Sequence, residues 1–153
     1  MSELGPRIVV AAGLVWLSAT RVLVHRRSPH ARFGAGRFEL PGGKVERGEA
    51  PTAALARELV EEWGPGASRL RVGPVAEVLH HVYPAPGPEV VLLVYHVDGA
   101  ALVGPDVPSM GLSPTEGFEV VPFDVDALPV DEFLEADREF VASIGHGRVT
   151  SPW

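Results

Sequence analysis

The sequence predicts an α/β fold, an α/β/α sandwich in which helices cover both faces of a mixed sheet. Three observations lead there. Apolar, β-branched runs are interspersed with two helical segments and with hairpin-like turns, which does not suit a simple βαβ repeat. One segment carries clear helix punctuation, with Pro51 at its first position and Gly64 just past its end. The chain has 153 residues, 46% hydrophobic and 22% charged, which suits one domain around one core.

Each element follows from local pattern. Residues 1–6 read as a flexible N-terminus, 7–144 as the folded domain and 145–153 as a C-terminal tail. Residues 7–17 are rich in Val, Ile and Ala and predict a buried strand, with 21–26 as its hairpin partner. Residues 27–36 carry Pro29, Gly34 and Gly36 and read as a loop. A short strand over 37–40 is expected to stop at Pro41-Gly42-Gly43, with 44–49 continuing as an ordered loop. The helix over 51–63 follows. Residues 70–82 and 90–97 predict a second hairpin. Residues 99–117 are a Pro-rich loop, 118–122 a short strand and 131–143 a second helix with Phe133, Leu134, Phe140 and Val141 apolar.

Composition excludes several classes. Cysteine is absent, so disulfides, thiolate metal sites and a cysteine nucleophile are ruled out. No apolar run is long enough to span a bilayer, and no signal peptide pattern is present, so a cytoplasmic protein is expected. The net charge of −7 argues against a nucleic acid polymer, whose binding needs a basic footprint. A small phosphorylated substrate remains open, provided a cation bridges it to the acidic protein.

The helix at 51–63 carries the chemistry. At about 100° per residue, Ala53, Ala56, Leu59, Val60 and Trp63 are expected to form the core face, with Glu58, Glu61 and Glu62 opposite. Like charges spaced i, i+3 and i+4 cost about 0.2–0.5 kcal/mol per pair. They also stand near the helix C-terminus, where the macrodipole disfavours them. A divalent cation would reverse that penalty, because Mg²⁺ prefers carboxylate and carbonyl oxygens completed by substrate phosphates. Taken alone, the three glutamates read more readily as an acidic solvated face.

Context decides between the two. Gly43, Glu49, Arg57, Glu58, Leu59, Glu61, Glu62 and Gly64 stand in the order G-x5-E-x7-R-E-U-x-E-E-x-G, with U a large aliphatic. A chance match in one chain is on the order of one in a million. The segment resembles the Nudix box of the Nudix hydrolases. Two positions depart from the usual box: Pro65 replaces an aliphatic residue, and Trp63 is bulkier than the residue normally found there.

The resemblance implies a Nudix-type sandwich and a divalent metal, Mg²⁺ or Mn²⁺, held by Glu58, Glu61, Glu62 and the Gly43 carbonyl. It also implies that Glu49 pairs with Arg57 and fixes the loop. The flanking segments, Val22 to Arg27 and Arg37 to Glu46, resemble the MutT-like branch. That branch places Lys44 beside the phosphates and Arg27 near the nucleotide; exposed charges are the plainer alternatives. A further ligand or proton acceptor is implied at Glu116, with Glu119 as competitor. Asp137 resembles a position that reads the base edge, and a helix N-cap or surface charge is the alternative.

The implied reaction is metal-dependent hydrolysis of a nucleoside triphosphate, oxidised or non-standard nucleotides included, to monophosphate and pyrophosphate. Glu58, Glu61 or Glu116 would accept the proton. ADP-ribose or dinucleoside polyphosphates remain alternative substrates. A non-catalytic nucleotide-sensing module and an interaction protein using the 99–117 loop also remain open. Either a monomer or a homodimer is compatible with the sequence.

Overall fold

The computed structural model describes residues 4–153. Residues 1–3, part of the expected flexible N-terminus, lie outside the described residues. A seven-stranded mixed sheet runs in the order β3-β2-β1-β6-β5, with β4 on β1 and β7 on β2. No helix among the described residues is long and apolar enough to cross a membrane.

Strand β1 (Arg7–Ser18) is the axis of the sheet. It runs parallel to β6 (Glu89–Asp98) and antiparallel to β2 (Arg21–Arg27). Residues 11–16 are buried on both faces, which explains why the segment reads as a continuous apolar run. Strands β5 (Arg71–Val82) and β6 form the expected antiparallel hairpin. Strand β3 (Phe38–Glu39) and strand β7 (Phe118–Asp124) both pair with β2.

The Pro-Gly-Gly segment does not end strand structure. Gly42–Lys44 form a further strand, β4, antiparallel to β1 with Gly43 opposite Ala11. Gly42 has φ +150°, and a Cβ there would lie 2.7 Å from the Ala12 Cα. Only glycine lets the chain lie so close to β1.

Helix α1 (Pro51–Trp63) has the expected bounds but not the expected face. Ala54, Leu55, Leu59, Glu62 and Trp63 are buried, whereas Ala53 and Ala56 are exposed and Val60 is 36% exposed. The helix is rotated so that Glu62 points toward the sheet, where the Gly42 N–H donates to its carboxylate. Leu55, Leu59 and Trp63 pack with Val15, Leu23 and Val97 in one core layer. Each such side chain contributes about 1.5–3 kcal/mol on burial.

Helix α2 (Glu135–Gly145) covers the other face and starts later than the expected residue 131. Val130–Glu132 form a 3-10 turn, and Phe133 bridges to Phe38. The Leu134 N–H donates to the Phe38 carbonyl at 2.9 Å. Phe133 is fully buried, and docking it against the sheet keeps the chain extended until α2 can begin. Phe140, Val141 and Ile144 then pack on Leu14, Val22 and Val24.

Candidate active site

The site is built where β4 and its following loop meet α1. The carboxylate of Glu58 lies against Gly43, in space that a side chain at that position would need. A Cβ on Gly43 would sit 2.5 and 2.7 Å from the two Glu58 oxygens. Arg57 ties the loop to the helix. Its Nε donates to Glu49 Oε2 at 2.8 Å, and its Nη2 donates to Glu49 Oε1 at 2.9 Å and to the Lys44 carbonyl at 3.2 Å. Its Nη1 donates to Glu58 Oε1 at 3.0 Å and reaches both Glu61 oxygens at 3.3 Å. Hydrogen bonds from Arg57 lower the Glu49 carboxyl to about 2.

Glu62 sits deeper than its neighbours. Its Oε1 accepts the Gly42 N–H at 3.0 Å. Burial first, then the charge of Glu39, push its carboxyl up to about 8. A buried carboxylate facing another carboxylate is costly unless a cation compensates it. Glu58, Glu61 and Glu62 bring oxygen donors to one stretch of α1, with the Gly43 backbone against Glu58. That donor chemistry suits a hard divalent ion.

Among the described residues, only His25, Glu39 and Glu62 present three ligand atoms within 4.8 Å of one another; Glu58, Glu61 and Glu62 do not form such a group in the metal-free fold. His25 is not a metal ligand as placed. The Trp63 Nε1–H donates to His25 Nδ1 at 3.0 Å. The imidazole hydrogen therefore lies on Nε2, which donates to Glu39 Oε1 at 2.9 Å and has no lone pair for a metal.

The C-terminal end of α1 is capped by the distant Pro-rich loop. Ser113 N–H donates to the Trp63 carbonyl and Thr115 N–H to the Glu62 carbonyl, both at 2.9 Å. Thr115 Oγ1 donates to the Glu61 carbonyl at 2.6 Å. These bonds satisfy carbonyls that a helix end leaves open. They also bring exposed Glu116, one residue on, to the glutamate-bearing end of α1. Glu119, on β7, pairs in register with Arg26 of β2 and directly follows Phe118, whose ring stacks on His25. Strand alternation turns Glu119 to the other face, away from α1.

A pocket of about 560 Å³ opens beside β4, within the range of small-molecule clefts. Gly43, Lys44, Arg27 and Asp137 all line it. Arg27 Nε donates to Glu39 Oε1 at 2.9 Å, and its guanidinium stands 5.8 Å from the Phe33 ring centroid. Asp137 is neither an N-cap nor a surface charge. It is buried inside α2, its Oδ2 accepts the Leu40 N–H at 3.1 Å, and burial pushes its carboxyl up to about 7.

Sequence reasoning missed Glu39, His25, Phe33 and Tyr83. Phe33 and Tyr83 line the pocket and meet edge to face, with centroids 5.3 Å apart. His25 offered one signal, a lone polar residue closing the apolar run Val22-Leu23-Val24. Nothing in local spacing connects it to Glu39 or Trp63.

Comparison with known proteins agrees with this architecture. A provisionally named 8-oxo-dGTP diphosphatase 2 of Mycobacterium tuberculosis is 48% identical over 65 residues, covering 42% of this chain and 45% of the relative. The 8-oxo-dGTP diphosphatase of Escherichia coli is 38% identical over 58 residues, covering 38% of this chain and 44% of the relative. The matched segment thus spans less than half the length of these relatives. The crystal structure of the MutT protein from Methanosarcina mazei superposes with a TM-score of 0.71 at 22% identity, covering 96% of this chain and 99% of that one. At that identity the likeness shows the fold alone. The NUDIX domain family matches residues 6–144. With its box residues gathered on one loop and helix, the chain belongs to the NUDIX domain family.

Proposed function

We propose that residues 7–144 form a metal-dependent pyrophosphohydrolase that cleaves a nucleoside triphosphate to the monophosphate and pyrophosphate. One observation carries this reading. Gly43, whose backbone packs against the Glu58 carboxylate, and Lys44 line the pocket, so the acidic stretch of α1 adjoins its wall.

Glu58, Glu61, Glu62 and the Gly43 carbonyl would hold Mg²⁺ or Mn²⁺. When bound, such an ion supplies charge neutralisation for phosphate oxygens and a lower pKa for water. The protein's own groups do the rest. Lys44 and Arg27 bring positive charge to the pocket and orient the phosphates. The Arg57–Glu49 pair keeps the loop rigid, so that the Gly43 carbonyl stays in place. Water adds to phosphorus, the anhydride P–O bond breaks and pyrophosphate leaves. Glu116, the residue after Thr115, would take the proton from water or serve as a further ligand. Asp137 closes the far side of the pocket, where a base with an exocyclic amine could donate to its second oxygen.

Oxidised purine nucleotides are the first candidates, since the relatives named above carry 8-oxo-dGTP in their names. The test is a hydrolysis screen over normal and oxidised nucleoside triphosphates, ADP-ribose and dinucleoside polyphosphates, with and without Mg²⁺, identifying products. Mg²⁺-dependent release of pyrophosphate from a triphosphate supports the reading. Turnover confined to ADP-ribose or dinucleoside polyphosphates overturns it.

A further inference from the structure

The unusual box residue Trp63 stands at one end of a buried hydrogen-bond chain whose other end is the substrate pocket. Trp63 Nε1–H donates to His25 Nδ1 at 3.0 Å. His25 Nε2 is bonded to Glu39 Oε1 at 2.9 Å. Arg27 Nε donates to that same oxygen at 2.9 Å. Trp63 and His25 are completely buried.

Each link sets the next. Indole N–H can only donate, so Nδ1 must accept and the hydrogen must lie on Nε2. With the other tautomer, two N–H groups would face each other at Trp63, and a bare Nε2 would face the Glu39 carboxylate. The His25 Nε2–H has a second acceptor nearby, since Glu62 Oε2 lies 4.0 Å from His25 Nε2. The Nε2–H sits between these carboxylates and holds Glu39 on the Arg27 side. Arg27 then spends Nε on Glu39 and Nη1 on the Phe33 carbonyl at 3.3 Å. Its Nη2 has no protein partner among the described residues, and Arg27 lines the pocket. A Cβ on Gly34, at φ +62°, would clash with Leu134 Cδ2 first and stand 3.3 Å from the Arg27 Cδ.

We propose that Trp63 is a positioning residue for substrate binding. It locks the His25 tautomer, His25 fixes Glu39, and Glu39 aims the Arg27 guanidinium at the phosphate or base of the nucleotide. The kinetic consequence depends on the nucleotide-hydrolase function proposed above; the hydrogen-bond chain itself does not.

The test uses the full chain as wild type, Trp63→Phe, Glu39→Gln, Arg27→Ala and the double variants with Arg27→Ala. Nitrogen-15 NMR should show His25 as the Nε2–H tautomer in the wild type. The Arg27 Nε–H resonance should exchange slowly, and at least about tenfold faster in Trp63→Phe and Glu39→Gln. With nucleoside triphosphate and Mg²⁺, both single variants should raise KM about tenfold while kcat holds within about threefold. Neither should raise KM further in the Arg27→Ala background, an outcome that loss of packing alone would not give. An Nδ1–H tautomer in the wild type, unchanged Arg27 exchange, or KM effects additive with Arg27→Ala would overturn the proposal. Should Trp63→Phe fail to fold, Glu39→Gln decides between these outcomes. Should no nucleotide be turned over, the hydrolase function fails while the NMR arms still decide the chain of bonds.

Discussion

Glu58 and Gly43 occupy one shared space: the glutamate carboxylate lies where a side chain on residue 43 would begin, within 2.7 Å of a Cβ placed there. Residue 43 therefore has no alternative to glycine that leaves Glu58 in position. Gly43→Ala is expected to lower kcat/KM about 100-fold or more, the scale of a displacement near 1 Å in a reacting site. Circular dichroism should show the fold retained. Activity within about threefold of wild type would show that Glu58 can move at no cost.

Arg57 joins Glu49, Glu58 and Glu61 through its planar fork. Lysine cannot reproduce the paired bonds to Glu49. Arg57→Lys should weaken Mn²⁺ binding by about 10–100-fold, the usual cost of losing support behind metal-holding groups. Calorimetric titration of both proteins checks this.

Glu62 carries a charge that the metal-free fold disfavours. Its folded carboxyl is raised from 4.5 to about 8, so the folded state holds the proton more tightly than the unfolded chain. The resulting stabilisation is complete below about 4.5 and lost as pH rises through about 8. With a chelator at alkaline pH, Glu62→Gln should therefore melt higher than wild type, on the order of a few degrees. The same substitution should cut hydrolysis about 100-fold or more. A lower melting temperature in chelator would contradict the buried-charge explanation.

Asp137 gives a second pH dependence with the same sign. Burial raises its carboxyl from 3.8 to about 7, so its stabilisation is complete below 3.8 and disappears as pH climbs through 7. Stability to urea should fall over that interval. Asp137→Asn, which keeps an acceptor oxygen for the Leu40 N–H, should flatten the fall. Unfolding midpoints at about pH 5 and about pH 8 compare the two proteins.

The box was legible because its residues are close in sequence and their order is specific. The expected Arg57–Glu49 pair is formed and Gly43 lies against Glu58, whereas Glu62 turns inward from the outer face that the spacing predicts. The helical face was read wrongly. A helical wheel ranks Val60 above Glu62 for burial, yet Glu62 is drawn inward by the Gly42 N–H, a partner on another strand. Helix α2 begins later than the sequence predicts for a similar reason: Phe133 is apolar and helix-compatible, but its bridge to Phe38 keeps it extended. The Trp63–His25–Glu39 chain joins an α1 residue to residues on β2 and β3, and no local pattern encodes such a relation. Asp137 was legible as a candidate, but its burial was not, because the Leu40 N–H that accompanies it lies far away in sequence.

On the function proposed, the α1 carboxylates hold a divalent cation beside the pocket. Mn²⁺ titration followed by electron paramagnetic resonance, with a nucleoside triphosphate present, tests it most directly on the wild type and on Glu58→Gln and Glu62→Gln. Saturable uptake by the wild type, weakened about tenfold or more in each variant, is the expected result. Uptake that is absent, or equal in all three proteins, would contradict it.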